Sequence, residues 1–382
     1  MKEMKQYTIA EICSRLSSGK GIPASKVTPT GPYPVIGGNG VRGYTDSFNF
    51  DGECAIIGRQ GANCGNVRYF QGKAYMTEHA IVAIGNENAN TKYLACLFSL
   101  MHLGNLSAQS AQPGLSVQTL SKQIIYLPEI STQNQIADII KSLDTKIELN
   151  NRINHNLEQQ AQALYKSWFV DFEPFKGGKF VDSELGMIPE GWRVAELGTV
   201  TRQSSQKVKD RIDVKVLSPV TTGELVLSEE YFTKQVFSES ISKYIVVKPL
   251  HFAYNPARVN IGSIGMNMFS FDGCVSPVYV VFECEKGYHH FFDYYRKTES
   301  FKDEVLNRAI GGVRQTLSYK DFALIKLVYP PYDIVEKFNC IYAGLLENKN
   351  SIKREISKLS ELRDTLLPKL LSGELKIDDF TC

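Results

Sequence analysis

The clearest periodicity in the chain is a seven-residue step of apolar positions within residues 132–169. Ile136, Leu143, Asn150, Leu157 and Leu164 mark the step, and Ile139, Ile140, Ile147, Ile153 and Ala161 flank it on the same face. No Gly or Pro interrupts this stretch, so the spacing predicts one continuous helix, about 55 Å long at ~1.5 Å per residue. A stripe of that length has to be covered by a partner helix. A second seam begins at Phe338 and steps through Leu345, Ile352, Leu359 and Leu366, with Ile341, Ile356 and Leu362 filling in, and Pro368 and Gly373 are expected to stop it. The seams stand 202 residues apart, and the same offset pairs Leu115 and Ser116 with Leu317 and Ser318, Leu120 with Phe322, Ile125 with Leu327, and Pro128 with Pro330. The chain reads as a tandem duplication. The expected fold is α+β, with two tandem α/β domains separated by two long helices that pair as an antiparallel coiled coil with an approximate two-fold. The expected helix contacts are Ile136, Leu143, Ile147, Leu157 and Leu164 on one side and Leu345, Ile352, Leu359 and Leu366 on the other.

The spacing sets domain boundaries at 1–130, 131–174 for the first helix, 175–188 for a Gly- and Lys-bearing linker, 189–331, and 332–382 for the second helix and tail. In the first domain, residues 33–43 read as a short strand entering a glycine-rich loop. Strand-like runs follow at 54–57, 66–70 and 80–84, and a helix at 90–101. Ala195, Glu196, Leu197 echoes Ala10, Glu11, Ile12 at an offset of 185, and Gly262, Ser263, Ile264 echoes Gly65, Asn66, Val67 at 197. The second copy therefore carries insertions, which fall in loops, where recognition varies.

At 382 residues and 43% apolar, the chain has room for two or three packed domains. Eight scattered cysteines with no C-x-x-C pair predict reduced thiols and no metal. No apolar run approaches the ~20 residues of a membrane span, and residues 1–10 do not read as a signal peptide, so a cytoplasmic location is expected. Residues 1–130 and 186–330 are slightly basic (11 Lys and Arg against 8 Asp and Glu, and 18 against 16), and the helical parts slightly acidic, which is the sign expected if only the globular parts meet phosphate.

Enzyme motifs fail on inspection. Gly38, Gly40 and Gly43 form a lone G-x-G-x-x-G with no helix after it, and no phosphate-binding G-x-x-x-x-G-K-S/T occurs. Tyr329, Pro330, Pro331, Tyr332 lacks the opening Asp or Asn that accepts the target amine in an adenine methyltransferase, and Asn255, Pro256, Ala257 lacks the second proline and the aromatic. The six histidines have no nucleophile partner at a usable spacing. Binding reads better. Asn39, Arg42, Arg59, Gln60, Asn63, Asn66 and Arg68 sit among glycines, and planar guanidinia and amides pair bidentately with guanine and adenine edges. In the second copy Asn255, Arg258 and Asn260 take the matching place, Lys207, Lys209 and Arg211 form a basic run, and Arg314 and Gln315 follow Gly311 and Gly312. All fifteen are candidate contacts to double-stranded DNA.

Several further motifs occur in a fixed order: Pro189, Glu190, Gly191, Trp192; Gln135, Ile136, Leu143, Asp144, Lys146 and Ile147; Trp168, Phe169; and Leu367, Pro368, Leu371, Ser372, Gly373, Glu374. With Pro34 to Gly43, Ile57, Gly58, Arg59, Gly61 and Gly65, they make the whole chain resemble the specificity subunit of a type I restriction-modification enzyme. The first copy has Gln6, Tyr7 where the Pro-Glu-Gly-Trp turn would be expected. Antiparallel pairing of the helices and the unlike loops of the two copies predict that each copy reads half of an asymmetric, split DNA site, and the resemblance implies two target recognition domains separated by two helical regions. It also implies assembly with two methyltransferase (modification) subunits and with restriction/translocase subunits. The chain itself would be non-catalytic and bind no cofactor, S-adenosylmethionine belonging to the methyltransferase subunits. Two rival readings are a fused adenine methyltransferase with degenerate motifs, and a coiled-coil scaffold whose end domains bind protein or glycan.

Overall fold

The computed structural model describes residues 4–107, 114–232, 234–308 and 316–375. The chain divides into two compact units, Met1–Ile153 with Ile352–Cys382, and Asn154–Ser351. The boundary cuts through the middle of both long helices, Ile130–Phe169 and Tyr332–Ser372. Each unit is thus a globular body plus half of each helix, whereas the sequence reading set the helices apart as segments of their own.

The first unit is built on a six-stranded sheet in the order Cys13–Ser18, Ala80–Gly85, Phe50–Gly58, Val67–Met76, Tyr33–Gly37, Gly40–Thr45. All neighbours run antiparallel except Tyr33–Gly37 beside Val67–Met76. The glycine-rich stretch expected as a loop is a tight hairpin, because Gly40 at φ +102° and Gly43 at φ +148° let the strand continue through a bulge. Helix Thr91–Leu100 covers the sheet, started by Asn90, whose side chain accepts from Tyr93 N at 2.9 Å. Lys5–Thr8 pairs with Ile124–Leu127, which leads into the central helix.

In the second unit, one four-stranded sheet runs Thr201–Ser204, Val280–Cys284, Phe252–Tyr254, Ile264–Met266. Another runs Leu225–Leu227, Lys215–Pro219, Gly273–Val275, Ile245–Val247. Arg193–Glu196 pairs with Lys326–Tyr329 as the counterpart of the Lys5–Thr8 ladder. The core is aromatic, and the Pro-Glu-Gly-Trp motif brings Trp192 into it. Gly191 at φ +88° closes a turn in which Trp192 N donates to Pro189 O at 3.1 Å. Trp192 then lies edge-on to Phe172 and Phe175 at 5.4 and 5.1 Å and beside Phe169 at 6.0 Å.

The helices run antiparallel within each unit. In the first, Asp144 meets Arg363 at 3.2 Å and Lys146 meets Glu355 at 3.5 Å, while Ile136, Ala137 and Ile140 share a core with Leu370 and Leu371. In the second, Glu158 bonds Lys349, and Phe338 packs on Tyr165 and Phe169 at 6.1 and 5.1 Å. Of the expected seam, Ile136 is buried, and Leu143, Ile147, Leu157, Leu164, Leu345, Ile352, Leu359 and Leu366 are half-buried. Ile153, Ile341 and Leu362 are instead exposed, having drifted off a face that two helices alone can cover. Pro368 does not stop the last helix, which runs on to Ser372. A helical proline costs about 3 kcal/mol, and burying Leu370 and Leu371, 3% and 8% exposed, at ~1.5–3 kcal/mol each offsets it.

The duplication is visible bond by bond. Ser116 caps the helix Val117–Ser121 and Ser318 the helix Tyr319–Phe322, accepting from Thr119 N and Asp321 N, and Leu115 and Leu317 are both buried. Ile9 N donates to Gln123 O and Leu197 N to Ile325 O. Those equivalents stand 188 apart, not 185, since backbone register rather than residue likeness fixes the match. The counterpart of the Pro-Glu-Gly-Trp turn is thereby residues 1–4, not Gln6 and Tyr7, and 1–3 lie outside the described residues. No helix among the described residues is long and apolar enough to cross a membrane.

Candidate nucleic-acid interface

In the first unit, three turns meet at one end of the six-stranded sheet. They are the hairpin turn 38–39, the loop 59–66 between Phe50–Gly58 and Val67–Met76, and the turn 77–79. A β-carbon on Gly38 would lie 2.9 Å from His79 O and 3.2 Å from Gly58 Cα, so only glycine permits this approach. Arg59 N donates to His79 O at 3.0 Å, and its guanidinium reaches Glu78 O at 3.4 Å. Exposed Gln60 lies 3.1 Å from His79 Nδ1, and Asn66 donates to Asn63 Oδ1 at 3.0 Å. Arg68 Nη1 donates to Asn39 O at 3.0 Å. Exposed Arg42 lies along Gly37, its Cδ 2.9 Å from where a β-carbon there would be. All seven candidates of this unit therefore lie in or beside these packed turns. His79, 19 residues from Gln60, was missed, because nothing in the sequence pairs them.

In the second unit the loop 255–263 repeats the frame of 58–66. Gly58 N bonds Asn66 O and Asn255 N bonds Ser263 O; Leu115 N bonds Arg59 O and Leu317 N bonds Pro256 O. Gly65 and Gly262 both sit at positive φ, +83° and +91°. On this frame Arg258 is exposed and Asn260 half-buried, while Asn255 is half-buried and spends its Oδ1 on Ala257 N at 3.0 Å. The basic run is elsewhere: Val208 and Lys209 donate to Tyr244 O and Ser242 O. Residues 205–211 line an open groove of about 700 Å³. Lys207 and Lys209 are exposed there. Arg211 is not free for phosphate, since it is bound to Asp213 at 2.5 Å and Asp272 at 2.8 Å, whose carboxylates hold its guanidinium charged. Arg314 and Gln315 lie outside the described residues.

The sequence reading also passed over the turn 220–224, which joins Lys215–Pro219 to Leu225–Leu227. It packs on the loop 255–263 through Ser263 Oγ, which donates to Pro219 O at 2.7 Å. Thr221, Thr222, Gly223 between two β-rich runs is a hairpin signal that could have found it.

Known proteins resemble this chain in sequence and in fold. Residues 1–159 match the family described as "Type I restriction modification DNA specificity domain". The chain is 27% identical over 311 residues, 78% of its length and 72% of the relative's, to the type I restriction enzyme MjaIX specificity subunit of Methanocaldococcus jannaschii. It is 38% identical over 147 residues, 37% of its length and 36% of the relative's, to the EcoprrI specificity subunit of Escherichia coli. Its fold resembles the crystal structure of a type I restriction-modification S subunit from M. genitalium, with a TM-score of 0.64 and 17% identity over 97% of this chain and 96% of that one. Residues 1–159 thus match a type I restriction-modification DNA specificity domain, and the chain as a whole is similar to the specificity subunits of those systems.

Proposed function

We propose that each unit reads one half of a split, asymmetric site in double-stranded DNA. The subunits assembled with this chain, two methyltransferases and a restriction/translocase component, act on the DNA so selected. The family carries recognition rather than catalysis, and the S-adenosylmethionine chemistry falls to the methyltransferase partners.

The observation that carries this reading is the repeated loop frame with different side chains on it. The bonds from Leu115 N to Arg59 O and from Leu317 N to Pro256 O hold two loops in one conformation. The first presents Gln60, Asn63 and Asn66, and the second Arg258 and Asn260. A shared scaffold bearing unlike donors and acceptors is what reading two unlike half-sites requires, since base edges are distinguished by donor and acceptor pattern.

The test uses the chain assembled with its methyltransferase subunits and a library of random duplexes, with methylated adenines mapped afterwards. The expected result is two blocks of fixed bases with unread positions between them. A library in which no sequence is enriched overturns the proposal.

A further inference from the structure

We propose that the turn 220–224 is a specificity-determining DNA contact of the second unit, beside the loop 255–263. Arg296 is the positioning residue that sets the turn's shape before DNA arrives, as Arg68 does for the turn 38–40 in the first. The inference rests on the reading of the chain as a DNA specificity subunit.

The two turns are equivalent by topology. Tyr33–Gly37 pairs antiparallel with Gly40–Thr45 across its turn and parallel with Val67–Met76. Lys215–Pro219 pairs antiparallel with Leu225–Leu227 across its turn and parallel with Gly273–Val275. Each turn also packs on the repeated loop frame. A β-carbon on Gly38 would touch Gly58 Cα at 3.2 Å, and one on Gly262 would come within 2.8 Å of Thr221 O. The turn in the first unit carries Asn39. Its counterpart carries exposed Thr221, Thr222 and Glu224, with the Thr222 hydroxyl 3.4 Å from the Glu224 carboxylate. Threonine offers a donor, an acceptor and a methyl that fits the thymine methyl, and glutamate accepts from the cytosine amine.

The same clamp holds both turns, built from non-equivalent residues. Arg68 stands on the strand Val67–Met76; its Nη1 donates to Asn39 O at 3.0 Å and fills the space a β-carbon on Gly40 would need, 2.0 Å away. Arg296 ends the helix His289–Tyr295; its Nη2 donates to Gly223 O at 2.8 Å, and its Nη1 lies 2.8 Å from where a β-carbon on Gly223 would stand. Nη1 also donates to Ile264 O at 2.9 Å, so the guanidinium ties the turn to the strand that leaves the reading loop. Asp293 Oδ1 fixes that guanidinium from behind, at 2.9 Å to Nε and 2.5 Å to Nη2. Gly40 and Gly223 both have positive φ, +102° and +82°. Two arginines reaching one geometry from different elements indicate that the turn geometry itself is what the fold provides for. Arg68 thereby leaves the set of base readers, its donors being partly used within the protein.

The test selects bound duplexes from a random library with the chain assembled with its methyltransferase subunits, comparing the unaltered chain with Thr221→Ala/Thr222→Ala and with Arg296→Lys. Lysine keeps a cation beside Asp293 but cannot span two carbonyls. In the double threonine variant, base preference in one block should fall about tenfold, the scale of one lost base contact, with the other block unchanged. Arg296→Lys should flatten the same block and leave assembly intact. The double variant substitutes two exposed residues, so it decides the matter even if Arg296→Lys does not fold. Full preference retained in both blocks, or equal loss in both, overturns the proposal. An unaltered chain that selects no sequence would instead overturn the DNA reading beneath it.

Discussion

Glu158 is the point where one substitution gives a calculable outcome. Its carboxylate lies on the central helix and receives Lys297 Nζ at 3.1 Å and Lys349, and Lys297 also meets Asp293 at 3.3 Å. Burial pushes the Glu158 carboxyl up, but Lys297 and Lys349 more than reverse this and hold it at about 2 against an ordinary 4.5. At ~1.4 kcal/mol per tenfold, that difference favours the ionised folded form by about 3 kcal/mol. Glu158→Gln removes the charge and leaves partly buried Lys349 without its carboxylate and Lys297 with Asp293 alone, for which ~3 kcal/mol is also the expected scale. Both tryptophans of the chain, Trp168 and Trp192, belong to the second unit's core, so fluorescence during urea unfolding reports on that unit alone. With a urea slope of about 2–3 kcal/mol per M for a unit of this size, the midpoint should fall by roughly 1 M. Because the folded pKa is depressed, the stabilisation is fully present above the unfolded pKa and is lost as pH falls through the folded one. The gap between the two proteins should therefore be constant above about pH 4.5 and close between 4.5 and 2. An unchanged midpoint at pH 7, or a gap that does not narrow in acid, refutes the reasoning.

Leu370→Ala should destabilise the first unit by about 2–5 kcal/mol, seen as an earlier circular-dichroism transition with the tryptophan transition unmoved, since Leu370 is 3% exposed in that unit's core. Asn150 is 2% exposed on the helix seam and its Nδ2 has no hydrogen-bond partner among the described residues, so Asn150→Leu should raise the stability of the first unit by about 1–2 kcal/mol in the same experiment, and a loss would show that the amide is satisfied in solution. Lys207→Ala should weaken binding to all duplexes alike and reduce the slope of log affinity against log salt by about one, whereas Arg211→Ala should leave that slope unchanged because its charge is already met by Asp213 and Asp272.

The parts of the fold legible in the sequence are those written as local periodicity. The seams through Ile136 and Phe338 repeat every seven residues, and Leu115, Ser116 and Leu317, Ser318 are a buried residue followed by a helix cap, a pairing that needs only neighbours to work. Pro368 misled because local propensity argues for a stop there, while the burial that carries the helix past it comes from a core more than 200 residues away in sequence. In the candidate interface, residue type picks out loops that the structure brings together, but not which of their donors stay free. Arg68 and Arg211 look alike in sequence to any exposed arginine, yet Asn39 O and Asp272, respectively, take up their donors. The turn 220–224 carries threonines instead of guanidinia or amides, so residue type alone does not single it out.

The second unit is one contiguous segment, 154–351, whereas the first requires residues from both ends of the chain. On a ribosome working at about 5–20 residues per second, Ile136 and Ile140 emerge roughly 12–47 s before Leu370 and Leu371, which share their core. The later-made body can finish folding while the earlier-made one still shows an uncovered apolar face. A nascent chain caught in that interval is the form most open to chaperones and proteases, and slowing translation after residue 351 should prolong its exposure.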